Sequence, residues 1–102
     1  MHIHELKGDG KDRGDAPYAR IEVHIRTGDD RNLRAVVVTG RFSGGYSGLV
    51  SASTNARGKV TFESGLVTGD SVTFTVTNLV HSDYAYAPED NRQGPSVTVE
   101  VD

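Results

Sequence analysis

Four histidines, a group of carboxylates and three tyrosines beside turns are the side chains in this sequence whose types and spacing could do chemistry. His2 and His4, at i and i+2, would share one face of a strand and offer two imidazoles to a divalent metal. Plain surface alternation at the start of a strand gives the same pattern, and spacing nominates no third ligand. His24 sits on the polar face of an alternating run and His81 near a strand end. Neither has a nucleophile and a carboxylate nearby in sequence, so any triad would have to converge from distant positions. Asp83, Glu89 and Asp90, with the carbonyls around them, have the oxygen-rich character of a calcium loop, but their spacing is not that of an EF-hand and solvated loop carboxylates look the same. Paired carboxylates for glycoside hydrolysis would need a cleft that raises one pKa, which a small domain with polar loops has little room to build.

Tyr84 and Tyr86, at i and i+2 in "SDYAYAP", and Tyr46 among the glycines of "SGGYSG" could together present ring faces to the C–H surfaces of sugars. Tyrosines at strand corners also hydrogen-bond the backbone and pin a turn, the reading that weighs more for Tyr86. Arg13, Gly14 and Asp15 spell a tripeptide that some cell-surface receptors recognise, a three-letter match of little specificity. Gly44, Gly45 and Gly48 could cradle a phosphate only if a helix N-terminus followed them. Strand patterns flank them on both sides, so they are expected to turn the chain, and Asn55 to Gly58 to close a hairpin.

The elements that must position these residues are all strands. Val, Ile and Thr make up 25 of the 102 residues, and no window repeats apolar residues at helical spacing. Strict alternation predicts strands over 18–27 (Ala19, Ile21, Val23 and Ile25 inward), 71–80 (Val72, Phe74 and Val76 inward) and 96–101 (Val97, Val99 and Val101 inward). Further strands are expected at 34–42, 49–54 and 59–63, with an additional first one in "MHIHEL". The polar stretch 8–16 is expected as a mobile loop. Seven or so strands punctuated by turn residues over this length predict one all-β domain, residues 1–102, with the Greek-key sandwich architecture of immunoglobulin or fibronectin type III modules.

Composition narrows the function classes. No apolar run reaches the roughly 18 residues of a membrane-spanning helix, so no membrane insertion is expected. A net charge of -3 with eleven scattered Lys and Arg lacks the basic footprint of a nucleic-acid binder. With no cysteine there is neither a disulfide framework nor a thiolate metal site.

Six features occur in order along the chain: Met-His-x-x-x-Leu-x-Gly (Met1 to Gly8), the strand "ARIEVHIRT", the turn Phe42, Ser43, Gly44 and Gly45, the turn Thr54 to Gly58, the strand "SVTFTVTN" (Ser71 to Asn78), and a corner of Tyr86, Pro88 and Asn91. This series resembles a family of bacterial immunoglobulin-like accessory domains, related to fibronectin type III modules, found in secreted proteins such as extracellular proteases and other hydrolases. Relatives often carry two cysteines where Ala52 and Val60 stand, a tryptophan where Phe42 stands, and a longer acidic stretch after the tyrosine corner. The resemblance implies a non-catalytic module without a cofactor, located outside the cell or at its surface, whose partners are neighbouring domains of a parent polypeptide. The alternative is a module that binds a polysaccharide or a cell-surface protein through Tyr46, Tyr84 and Tyr86.

Overall fold

The structure, a computed structural model, describes residues 1–13, 16–29, 31–87 and 95–100. It contains seven strands: β1 (His2–Arg13), β2 (Ala16–Arg26), β3 (Val37–Gly44), β4 (Gly48–Ser53), β5 (Lys59–Glu63), β6 (Ser71–Val80) and β7 (Ser96–Glu100). No helix occurs among the described residues. The alternation that predicts β2 and β6 is what their burial shows: Ala19, Ile21, Val23 and Ile25 are fully buried, as are Val72, Phe74 and Val76 to within a few per cent. Each strand thereby offers one apolar face, and such faces exclude water only by meeting another.

Two antiparallel sheets result, ordered β1-β2-β5 and β4-β3-β6-β7. The chain makes the hairpin β1–β2 in the first sheet, crosses to make β3–β4 in the second, returns for β5, and crosses again for β6–β7. Apolar residues from six of these strands, all but β4, form one core between the sheets, with Val50, Ala52 and Val97 at its margin. A sandwich follows from these pairings. Its long dimension is 42 Å, matching the twelve residues of β1 at about 3.4 Å each.

At the centre, three phenylalanines link the layers. Phe42 and Phe74 are direct cross-strand partners in the second sheet, ring centroids 5.0 Å apart, and Phe62 of the first sheet lies 5.4 Å from Phe74. The Phe74 ring lies on Gly40 of the adjacent strand, where an added Cβ would overlap the ring carbons. A glycine inside a strand is unfavourable by itself, but here its missing side chain is the space that the ring fills.

Three expectations are corrected. The polar stretch 8–16 is not all loop. Gly8 to Arg13 continues β1 and pairs residue by residue with Ile21 to Ala16 of β2, leaving only 14 and 15, outside the described residues, between the strands. Glycines hide the period: Leu6 and Gly8 take inward positions while Lys7, Asp9 and Lys11 face out, and β7 packs so tightly on Gly8 that an added Cβ would strike Val99. Secondly, Asn55 to Gly58 does not close a hairpin. It carries the chain from β4 in one sheet to β5 in the other, as an Asx turn in which Asn55 Oδ1 accepts from the amides of Arg57 (2.9 Å) and Lys59 (3.1 Å). Gly58, at φ +75°, approaches the Ile25 carbonyl so closely that no side chain fits. Thirdly, β3 starts at Val37 rather than 34, because Ala35 adopts a left-handed φ of 62° that breaks the strand.

That geometry strains a residue with a Cβ by about 1–2 kcal/mol, partly offset in glycine by its greater unfolded-chain entropy. Ala35→Gly should therefore raise stability by about 0.5–1 kcal/mol in a urea melt, against a loss if the conformation is unstrained. Phe74→Ala should cost about 3–5 kcal/mol, a large share of a small domain's stability, read from the same curves.

Candidate functional site

Strand directions divide the loops between two poles. The chain start, residues 27–29 and 31–36, the 54–58 turn and residues 81–87 lie at one pole. The β1–β2 tip, the β3–β4 turn, the 64–70 connection and the end of β7 lie at the other. Tyr84 and Tyr86 belong to the first pole and Tyr46 to the second, separated by the ten residues of β6, about 30 Å. A platform of three tyrosines is not assembled.

Tyr46 acts as a plug. Its ring meets Phe42 edge-on at 5.5 Å and lies over Gly65, where an added Cβ would come within 2.8 Å of it. The turn that carries it is tied to the 64–70 connection: Gly45 N–H donates to Ser71 O (2.9 Å), while Gly45 O accepts from Thr68 N–H (2.8 Å) and Thr68 Oγ1 (3.1 Å). Half-buried and packed on the core, Tyr46 closes the second pole. Tyr86 also packs on the core, in a segment clipped to the chain start, where the Met1 nitrogen donates to Ala85 O and the Ala87 N–H to Met1 O, both at 2.8 Å. Its corner partners Pro88 and Asn91 lie outside the described residues.

Tyr84 differs. It is 45% exposed, its ring meeting that of His81 at 5.4 Å. The Asp83 amide donates to His81 Nδ1 (3.0 Å), which places the proton of the neutral ring on Nε2, pointing elsewhere. His81 follows Val80, which pairs with Val37 on the outer face of the second sheet, and both valines are exposed. At the first pole Tyr84 thus stands exposed beside half-buried His81, and Val80 and Val37 form an exposed apolar pair on the outer face of the second sheet.

The other histidines are built into the fold. His24, expected on a polar face, is buried: the 27–36 connection brings Asn32 Oδ1 to accept from His24 Nε2 (2.7 Å) and Arg26 Nε (3.3 Å). His4 occupies a β-bulge, where the register jumps between Ile3 and Glu5, and its ring packs edge-on against His24 at 5.1 Å. His4 is thus brought to His24, and no group of three metal-ligating side chains forms among the described residues. Asp83 is exposed beside His81, while Glu89, Asp90, Gly14 and Asp15 of the calcium and tripeptide readings lie outside the described residues.

One constellation escaped the sequence reading. Lys7, Asp9 and Lys11 of β1 and Arg20 and Glu22 of β2 line a shallow depression of about 220 Å³ on the outer face of the first sheet. Opposite charges stand across the ladder, Lys7 facing Glu22 and Asp9 facing Arg20, and Lys59 of β5 approaches Glu22 at 3.7 Å. Exposed pairs of this kind contribute little to stability but keep the strand soluble. The signal was present in "LKGDGKD" as charges at every second residue, with glycines standing where apolar residues mark a strand.

No family model, curated protein or solved structure matches this chain.

Tyr46 and Tyr84 separate by what they touch. Tyr46→Ala should cost about 1.5–3 kcal/mol, because its half-buried ring leaves a gap over Phe42 and Gly65. Tyr84→Ala should stay within about 0.5 kcal/mol of wild type in the same denaturation experiment.

Proposed function

We propose that this chain is a non-catalytic accessory module of immunoglobulin or fibronectin type III type, with Greek-key connections, spacing or stabilising a neighbouring domain of a larger secreted or cell-surface bacterial protein. The observation that carries the reading is the placement of the first and last strands. Met1 is clipped beside Ala85 to Ala87 at the first pole, whereas Glu100 pairs with Ser71 at the second. With the first strand starting at one pole and the last ending at the other, segments joined to those two strands would be held a domain length apart. The alternation of hairpins between sheets supports the architectural half of the reading, since β5 returns to pair with β2 only after β3 and β4 have been laid in the opposite layer. The deployment of side chains supports the non-catalytic half: Tyr46, Tyr86, His4 and His24 serve packing and hydrogen bonding within the fold.

A second reading is favoured by one observation, the exposed ring of Tyr84 beside His81 and the paired valines Val37 and Val80. That patch would bind a polysaccharide or a surface protein by ring stacking and apolar contact.

Marker domains fused to the two ends should appear on opposite sides of the sandwich in small-angle scattering, and markers lying side by side would remove the spacer role. Retention on insoluble polysaccharides that disappears in Tyr84→Ala would instead favour the binding reading.

A further inference from the structure

The four edges of the two sheets are unlike. Edge strand β1 carries Lys7, Asp9 and Lys11, is bulged at His4, and is preceded by Met1, which is clipped to Ala85 and Ala87. Edge strand β5 is five residues long with Lys59 and Glu63 at its ends. Edge strand β7 is equally short, is preceded by Pro95, ends in Glu100 and lies against Gly8 of β1. Charge, proline, bulges and cover are the devices by which proteins keep unpaired strand edges from pairing with another chain. Among the described residues, β4 has none of them. Its sequence, Gly48 to Ser53, is "GLVSAS", without a charge or proline, and its register with β3 runs unbroken.

We propose that β4 is a self-association edge, pairing antiparallel with β4 of a second copy to join the two four-stranded sheets into one of eight strands. An antiparallel pair of identical strands is symmetric about a twofold axis, so one patch serves both copies. Alternation requires outward residues to face outward residues, which a register centred on Ser51 satisfies. Ser51 then meets its own copy, Leu49 meets Ser53, and Val50 meets Ala52.

Three features of β4 make a second copy the fitting occupant. No like charges are brought together along the strand. Arg41 lies opposite Leu49 on β3, and its two copies would stand about 20 Å apart by strand spacing and rise, well beyond the screening length. Inward-facing Val50 and Ala52, now only half-buried at the open margin of the core, would be covered, and so would part of Leu49, which is 69% exposed. Finally, hydroxyl pairs across strands are already how this sheet's outer face is joined: Thr73 to Thr98 and Thr75 to Ser96 are both hydrogen-bonded at 2.9 Å. Ser51 against Ser51 extends that pattern across the axis.

Sedimentation velocity on the full chain, from about 10 μM to about 1 mM, should show a reversible monomer–dimer equilibrium. Ser51→Lys sets two ammonium groups face to face and should weaken the dimer at least about tenfold. Its melting temperature at low concentration should match wild type, because position 51 is exposed in the monomer. Ser51→Cys gives an independent readout, since the chain has no other cysteine. Facing residues in such a ladder have Cα atoms about 4.5–5.5 Å apart, within disulfide range, so this variant should oxidise to a linked dimer far faster than Thr61→Cys on the charged β5 edge. A wild type that stays monomeric throughout, a Ser51→Lys variant that dimerises as wild type does, or linkage no faster than the Thr61→Cys control would each overturn the proposal. So would a monomeric wild type that takes up an uncharged extended peptide along β4, which would assign the edge to a foreign strand.

Discussion

The seating of Phe74 on Gly40 governs the rest of this structure. Two sheets can close on each other only if the inner faces interlock, and in a core of this size three aromatic rings must be accommodated without leaving voids. Gly40 supplies the recess, Phe74 fills it, and Phe42 and Phe62 pack on either side of the same ring. The valines and isoleucines of β2, β3 and β6 then have a fixed layer separation to pack into. A side chain at position 40 would displace Phe74 towards the opposite sheet and misalign every inward residue around it.

From this centre outwards the fold is closed at its poles by polar and aromatic groups. At one pole Tyr46 covers the end of the core, held by the bonds from Gly45 to Thr68 and Ser71. At the other, the Met1 clip to Ala85 to Ala87 joins the chain start to the segment after β6. Asn32 closes over His24, and Thr54 Oγ1 donates to Leu33 O (2.7 Å) while accepting from Val36 N–H (3.1 Å). These bonds lie where the backbone leaves the sheets and its own donors and acceptors would otherwise be buried without partners. Tyr46, His4 and His24, which look reactive in a list of side chains, are packed or hydrogen-bonded within the fold. Tyr84, together with His81, remains turned outwards.

What was legible in the sequence depended on whether the period of two was written in apolar residues. Strands β2, β5 and β6 are legible because their inward positions hold Val, Ile, Leu, Phe or Ala and most of the residues between them are polar. The outer half of β1 was not, because glycine occupies the inward positions and carries no hydropathy, although the outward charges kept the alternation. The bulge at His4 likewise changed the phase, so that Ile3 and Leu6, three apart, both reach the core. The position of Tyr46 over Gly65 joins residues nineteen apart through space, and nothing local in either segment announces it. The exposure of Tyr84 was likewise undecided by "SDYAYAP", in which two tyrosines of equal spacing have different surroundings.

By itself the sequence determined the all-β class, the place of the clearest strands along the chain and the inward face of β2 and β6, because side-chain direction in a strand is a local property of backbone geometry. Only the tertiary structure decided which sheet each strand joins, that Asn55 to Gly58 crosses between layers instead of closing a hairpin, that the tyrosines part to opposite poles, and that β4 alone is left as an uncharged edge. Those outcomes depend on which apolar faces meet and which backbone edges find partners. Both are set by contacts between distant segments, which no local pattern encodes.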